Sequence, residues 1–396
     1  MQPHEEEDDI VTSTVPFYRH GLGASDASRI ASVLETPILT SGAVGRAVES
    51  QLCEFFGIEN ALLTNSWTNG CVAALLALDI GPGDEVIVPA MTFIASANVV
   101  ELVGAKPVFV DVDPRTLLLT PTAVRAALTP ATRAVMPVHL YGQMVDVEAL
   151  AAELADRPDV TIIEDAAHCF EGSLRGVLPG QHSRAAIFSF YATKNVTCGE
   201  GGAIITRDAS FAAELKQTRL HGMSAGAIDR YSESTYRHWD MFRLGTKANL
   251  PDLLAALLPP QIATIRARLG EREELCLRYE AAFSGSAIRL AENAPDATSA
   301  RHIFTIHVPP KVRDLSLQAL NTAGIGTAVN FRSVPTLSYY REKYGYGPGS
   351  FPESHQWGEG TITIPMFPGL TRDEQDTVIR VIQNEVIPLA ESALQH

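Results

Sequence analysis

The chain has 396 residues, 46% of them hydrophobic and 19% charged, with a formal net charge of -15 at pH 7. Such a composition supports a soluble globular protein long enough for two domains, and it excludes a broadly cationic face for nucleic acid or anionic membrane. Any anion site has to be built locally. Five cysteines, odd in number and without paired metal spacing, point to reduced thiols and to no structural metal. The start MQPHEEEDD predicts a short acidic disordered tail, and no apolar run approaches the roughly 20 residues that span a bilayer, so a cytoplasmic protein is expected.

In chain order, helices are predicted from Ser25 to Leu34 and from Val44 to Phe56, the second ending before Gly57 with apolar residues at helical spacing. A short strand at Ala61 to Leu63 turns through TNSWTNG into an apolar helix that continues to about Leu78. Unsatisfied N–H groups at such a helix start suit an anion, which makes Thr68 and Asn69 candidates for a phosphate; an ordinary cap is the alternative. Strands are expected through Val88, from Pro107 to Val112 and from Arg133 to Val138, with helices from Thr122 to Leu128 and from Asp146 to Leu154. That alternation predicts an α/β fold with a mostly parallel sheet. His139, at a strand end, reads as hydrogen-bonded structure rather than as a catalyst.

The most informative stretch is TIIEDAAHCFEGSLRGVLPGQHSRAAIFSFYATKNVTCGEGG, residues 161–202. Asp165 and Lys194 each follow a short apolar run with the look of a buried strand, and residues just past strand ends line the crevice of an open α/β sheet. An amine and a carboxylate delivered there together suit pyridoxal phosphate (PLP): the amine can form an imine with the aldehyde, and the carboxylate can keep the ring nitrogen protonated. Taken singly, Lys194 could be a surface lysine and Asp165 a helix cap. Further on, a strand is predicted at Ala203 to Thr206, a helix at Phe211 to Leu220 and a long functional loop from His221 to Asn249. A long helix from Pro259, strands Ile303 to Val308 and Gly326 to Phe331, a helix near Leu315 to Ala323 and a final helix Arg372 to Ala390 complete the chain.

EDAAH, FSFYATKN and GEGG, in that order, resemble the motifs of the DegT/StrS family of sugar aminotransferases, a fold-type-I group of PLP enzymes, from about Pro16 to the C-terminus. The resemblance implies a large PLP-binding domain, residues 16–258, with a mostly parallel central sheet. A linking helix and a smaller α+β C-terminal domain, residues 259–396, would follow the tail of residues 1–15 and that large domain. It implies Lys194 as the imine-forming lysine, Asp165 on the pyridine nitrogen, His168 beside the ring hydroxyl, Ser189 on the phosphate and Phe93 against the ring, where simple core packing is the rival reading. Tyr141 and Gly142 resemble a loop near the family's active site. GTKANLPDLLAA resembles the segment that reaches a neighbouring subunit's phosphate site, so Lys247 and Asn249 are candidates there and a homodimer with shared sites is implied. Lysine at position 194, where related dehydratases carry histidine, favours transamination.

L-Glutamate as donor and a nucleotide-linked keto sugar as acceptor follow by resemblance, and the motifs look closest to the branch that makes UDP-4-amino-4-deoxy-L-arabinose. Relatives tend to carry a small residue at Trp67, asparagine at Lys247, arginine at Asn249, and histidine at Asn330 and Pro335. A keto-cyclitol acceptor, or a regulatory protein that binds the cofactor without turnover, are the competing readings.

Overall fold

The computed structural model describes residues 14–224 and 238–395. The core of the fold is a sheet of seven strands: β1 (Asn60–Thr64), β2 (Glu85–Pro89), β3 (Lys106–Val110), β4 (Thr132–Val135), β5 (Thr161–Asp165), β7 (Ala185–Ser189) and β8 (Gly202–Thr206). A two-residue strand β6 (Ser173–Leu174) lies outside it, paired with β9 (Ala297–Thr298). The spatial order is β1-β8-β7-β5-β4-β2-β3, and every strand runs the same way except β8. Runs such as Ile162–Asp165 and Ala185–Phe188 are buried without alternation, as strands covered on both faces require. Helices Ala43–Phe56, Trp67–Ala77, Ala95–Leu102, Val147–Glu153 and Ala209–Thr218 belong to the apolar layers on the two sides of this sheet. The architecture is the α/β sheet expected from the sequence.

Helix Pro259–Phe283 begins against the sheet's own core, through Ile262 and Ile265, and ends in a separate core with Cys276, Tyr279 and Phe283. That second core is built on the antiparallel pair β10 (Phe304–His307) and β11 (Thr361–Ile364), with helices Arg313–Thr322, Arg372–Val381 and Ile387–Leu394. Of the expected acidic tail, residues 1–13 lie outside the described residues, as do residues 225–237 of the expected long loop. Val15 is buried in the second core and pairs with Ile325. No helix among the described residues is long and apolar enough to cross a membrane.

Two expectations fail locally. Gly326 to Phe331 is not a strand: only Ala328 bridges Thr363, after which the chain turns into the crevice and Phe331 packs over the rings of His168 and Tyr141. The final helix is not continuous either, because a π-helical turn at Ile382–Val386 separates its halves. Pro388 explains it: in an unbroken α-helix its ring would meet the carbonyl four residues earlier.

Candidate active site

Asp165 is the last residue of β5 rather than the first beyond it, and its carboxylate is buried. Oδ1 accepts from the Ala167 N–H at 3.1 Å and Oδ2 from the Ser96 hydroxyl at 2.8 Å, with Thr92 Oγ1 a further 2.8 Å from Ser96 Oγ. Burial raises the Asp165 pKa; the Ala167 and Ser96 hydrogen bonds and the charges of Lys194 and His139 oppose the rise. Among the described residues no salt bridge reaches Asp165, and a protonated ring nitrogen would pair with it directly.

Lys194 lies in the turn after β7 and faces the same crevice. Burial pulls its pKa down to about 8, against the attraction of Asp165, so the neutral fraction of the amine near neutral pH is far larger than for an ordinary lysine, although the charged form still predominates. His302 Nε2 stands 3.4 Å from Lys194 Nζ, and the His302 ring is 4.4 Å from that of His168. Burial, followed by the nearby Lys194 charge, holds His168 well below the usual imidazole range. His168 Nδ1 accepts from the Tyr141 N–H at 3.3 Å, so the proton of the neutral ring is on Nε2, which is left as a donor.

The other end of the crevice is built where helix Trp67–Ala77 starts against β8. Ser66 caps the helix by accepting from the Asn69 N–H at 3.0 Å, which leaves the N–H groups of Trp67 and Thr68 as free donors of the first turn. Gly202 makes this approach possible: a Cβ there would lie 2.8 Å from Trp67 N and 2.7 Å from Phe188 O. Thr68 and Ser189 line the crevice beside that helix start. Asn69 instead donates through Nδ2 to Asn65 at 3.0 Å, and only its position on the helix links it to the anion site.

These groups share one crevice of about 680 Å³ with Phe93, Trp67, Asn330 and Phe331. Phe93 is exposed on one side and packs on Phe331 at 5.7 Å, so it is a wall rather than core. Lys247 and Asn249 do not line their own chain's crevice. The Lys247 side chain is exposed, whereas the Asn249 amide donates to Thr40 and Ser41, each at 2.9 Å. His139 is a structural residue, as read from the sequence: it is buried and pairs with Glu164 at 2.7 Å.

Sequence reading missed Ser96, His302, and the buried Arg272–Glu171 ion pair behind them. Ser96 and His302 lie 69 residues before Asp165 and 108 after Lys194, so no local pattern could have joined them.

The donor set fits PLP. A buried carboxylate outside any ion pair of the described residues, a neighbouring amine of lowered pKa, a neutral histidine donor and an open helix start occupy successive parts of one crevice.

The family model described as the DegT/DnrJ/EryC1/StrS aminotransferase family matches residues 21–383. Among solved structures, Spr1654 from Streptococcus pneumoniae, provisionally named a sugar aminotransferase, is similar at 26% identity in its PMP form. It has a TM-score of 0.88 over 96% of this chain and 99% of that one. Its PLP form matches at 27% identity and a TM-score of 0.86, over 96% of this chain and 99% of that one. DesV of S. venezuelae, solved in complex with a ketimine intermediate, is 34% identical, with a TM-score of 0.82 over 91% of this chain and 93% of that one.

Proposed function

The chain belongs to the DegT/DnrJ/EryC1/StrS aminotransferase family, whose members are PLP-dependent enzymes, and from that premise we propose that it moves an amino group from L-glutamate to a nucleotide-linked keto sugar. The acceptor position we infer is C4 of a UDP-linked 4-keto sugar. One observation carries the transamination in this reading: the buried Asp165 carboxylate and the Lys194 amine, its pKa lowered to about 8, face one crevice from neighbouring strand ends.

PLP, when bound, supplies an aldehyde that takes up the donor amine and a ring that accepts the electrons of the broken C–H bond. Asp165 would hold the ring nitrogen and keep its proton in place through the carboxylate charge. The Trp67 and Thr68 N–H groups, with the Thr68 and Ser189 hydroxyls, would hold the phosphate. His168 would donate from Nε2 to the ring hydroxyl, and Phe93 would cover the ring and exclude water. Lys194 would secure the cofactor through Nζ and, once released, would take at Nζ the proton lost from the donor's amine-bearing carbon and give it up on the cofactor side of the intervening nitrogen.

Lys247 and Asn249 belong to the phosphate site of a second copy. The exposed Lys247 side chain, outside its own crevice, supports this, as does the exposed apolar stretch that precedes it, where Phe242 is 65% and Leu244 68% exposed; Asn249, buried against Thr40 and Ser41, would have to act by holding that loop. Of the two departures from the arabinose branch, Asn330 and Pro335, only Asn330 reaches the acceptor end. Asn330 lines the crevice with Oδ1 buried and unpartnered, ready to accept from a sugar hydroxyl, whereas Pro335 is buried away from it.

The test offers pyridoxamine-loaded enzyme a panel of UDP- and dTDP-linked 3-keto and 4-keto sugars and follows the return of the aldehyde absorbance. Fastest return with a UDP-linked 4-keto sugar is expected. Preference for a 3-keto or a dTDP-linked sugar would reject this acceptor and leave transamination standing.

A further inference from the structure

Behind Lys194 the hydrogen positions can be worked out from the far end of a buried chain. Arg272 and Glu171 form an ion pair with both side chains out of solvent. Asn195 Nδ2 lies 3.1 Å from Glu171 Oε1 and 2.9 Å from the Ala300 carbonyl. A carbonyl can only accept, so this end of the amide is the NH2 whatever the charge on Glu171. Asn195 Oδ1 is then the atom facing His302 Nδ1 at 3.2 Å, and the proton of a neutral His302 must sit on Nδ1. Nε2 keeps its lone pair, and it is this atom that stands 3.4 Å from Lys194 Nζ.

The backbone holds His302 there. Its N–H donates to the Tyr141 carbonyl at 3.1 Å and the Ala300 N–H to the Gly142 carbonyl at 2.8 Å. Gly142 has a φ of +101°, and a Cβ on it would lie 2.8 Å from Arg301 N, so only glycine allows this contact. The turn at Tyr141 and Gly142 thus anchors both His168 and His302 around one amine.

We propose that His302 is a positioning residue for Lys194: its Nε2 accepts a hydrogen from Nζ, holds the released amine in one orientation and stabilises its protonated form. This rests on the reading of Lys194 as the lysine that carries the cofactor. The other titratable or charged groups around the pair are Asp165 from β5, His168 from the turn after it, and Arg272 and Glu171 beyond Asn195. All of them remain in place when His302 alone is changed.

The experiment uses the full chain in its pyridoxamine-phosphate form, where Lys194 is a free amine. Trace labelling with acetic anhydride across a pH series, with the Lys194 peptide quantified by mass spectrometry, gives the titration midpoint of Nζ. Loss of one charge-assisted acceptor in His302→Phe should lower the midpoint by about one pH unit. His302→Gln, which can present its Oε1, should restore at least half of the shift. Asn195→Leu, which frees the tautomer, should fall between wild type and His302→Phe, and it carries the test with the same sign if His302→Phe does not fold. An unmoved or raised midpoint would overturn the proposal, since a raised one means that His302 donates to the neutral amine.

Borohydride reduction of the PLP form tests the premise separately. Cofactor fixed to another lysine would remove the reading of Lys194, whereas correct attachment with an unmoved midpoint would overturn only the role of His302.

Discussion

Lys194 shows what burial does to one of the six lysines of this chain. Its pKa in the folded protein is about 8 against an ordinary 10.5, so the folded state binds fewer protons than the unfolded chain between those values. The resulting destabilisation is complete below about pH 8 and vanishes as pH rises through 10.5. Lys194→Met, stripped of cofactor, should therefore unfold at higher denaturant than wild type at pH 7, by about 1–2 kcal/mol after allowing for solvent in the crevice, with the difference shrinking at alkaline pH. Equal stability across the range would contradict the depressed pKa. Reduction with borohydride should fix the cofactor on the Lys194 peptide, and Lys194→Ala should abolish steady-state amination. Asp165→Asn should retain some cofactor and lose most turnover, on the order of 100-fold, because a neutral amide cannot hold the ring nitrogen's proton; undiminished kcat would remove Asp165 from that role.

At the scale of elements, the contact that shapes the crevice is the start of helix Trp67–Ala77 against β8. Both close atoms at Gly202 belong to backbone and cannot rotate away. Gly202→Ala should push the helix start off the strand, cost about 1–3 kcal/mol of stability and weaken cofactor binding roughly tenfold, read by fluorescence titration of the stripped enzyme. Unchanged affinity would mean that this helix start does not hold the phosphate. The same helix was legible in the sequence because an apolar run follows the turn TNSWTNG, whereas the cap by Ser66 is a finding of the structure. The crossing of residues 326–331 into the crevice was not, since its alternating pattern suits a strand and only contacts with His168 and Tyr141 redirect it.

For the whole molecule, a site shared between two copies predicts complementation. Mixing Lys194→Ala subunits with subunits altered at Lys247 and Asn249 should restore part of the activity, because one site in the mixed dimer then has every group; a fully active monomer in sedimentation would refute it. The sequence by itself determined the α/β alternation, the helix that follows the turn TNSWTNG, and the two short motifs that bring Asp165 and Lys194 to neighbouring strand ends. These depend on local periodicity and on residues a few positions apart, which a linear reading can see. Only the tertiary structure decided that Ser96 holds Asp165, that Asn69 turns to Asn65, and that Lys247 and Asn249 leave their own crevice. It also decided that His302 faces Lys194 through a tautomer set by Asn195. Those relations join residues far apart in the chain, or depend on which way a side chain turns once packed, and neither is written in the spacing of a single sequence.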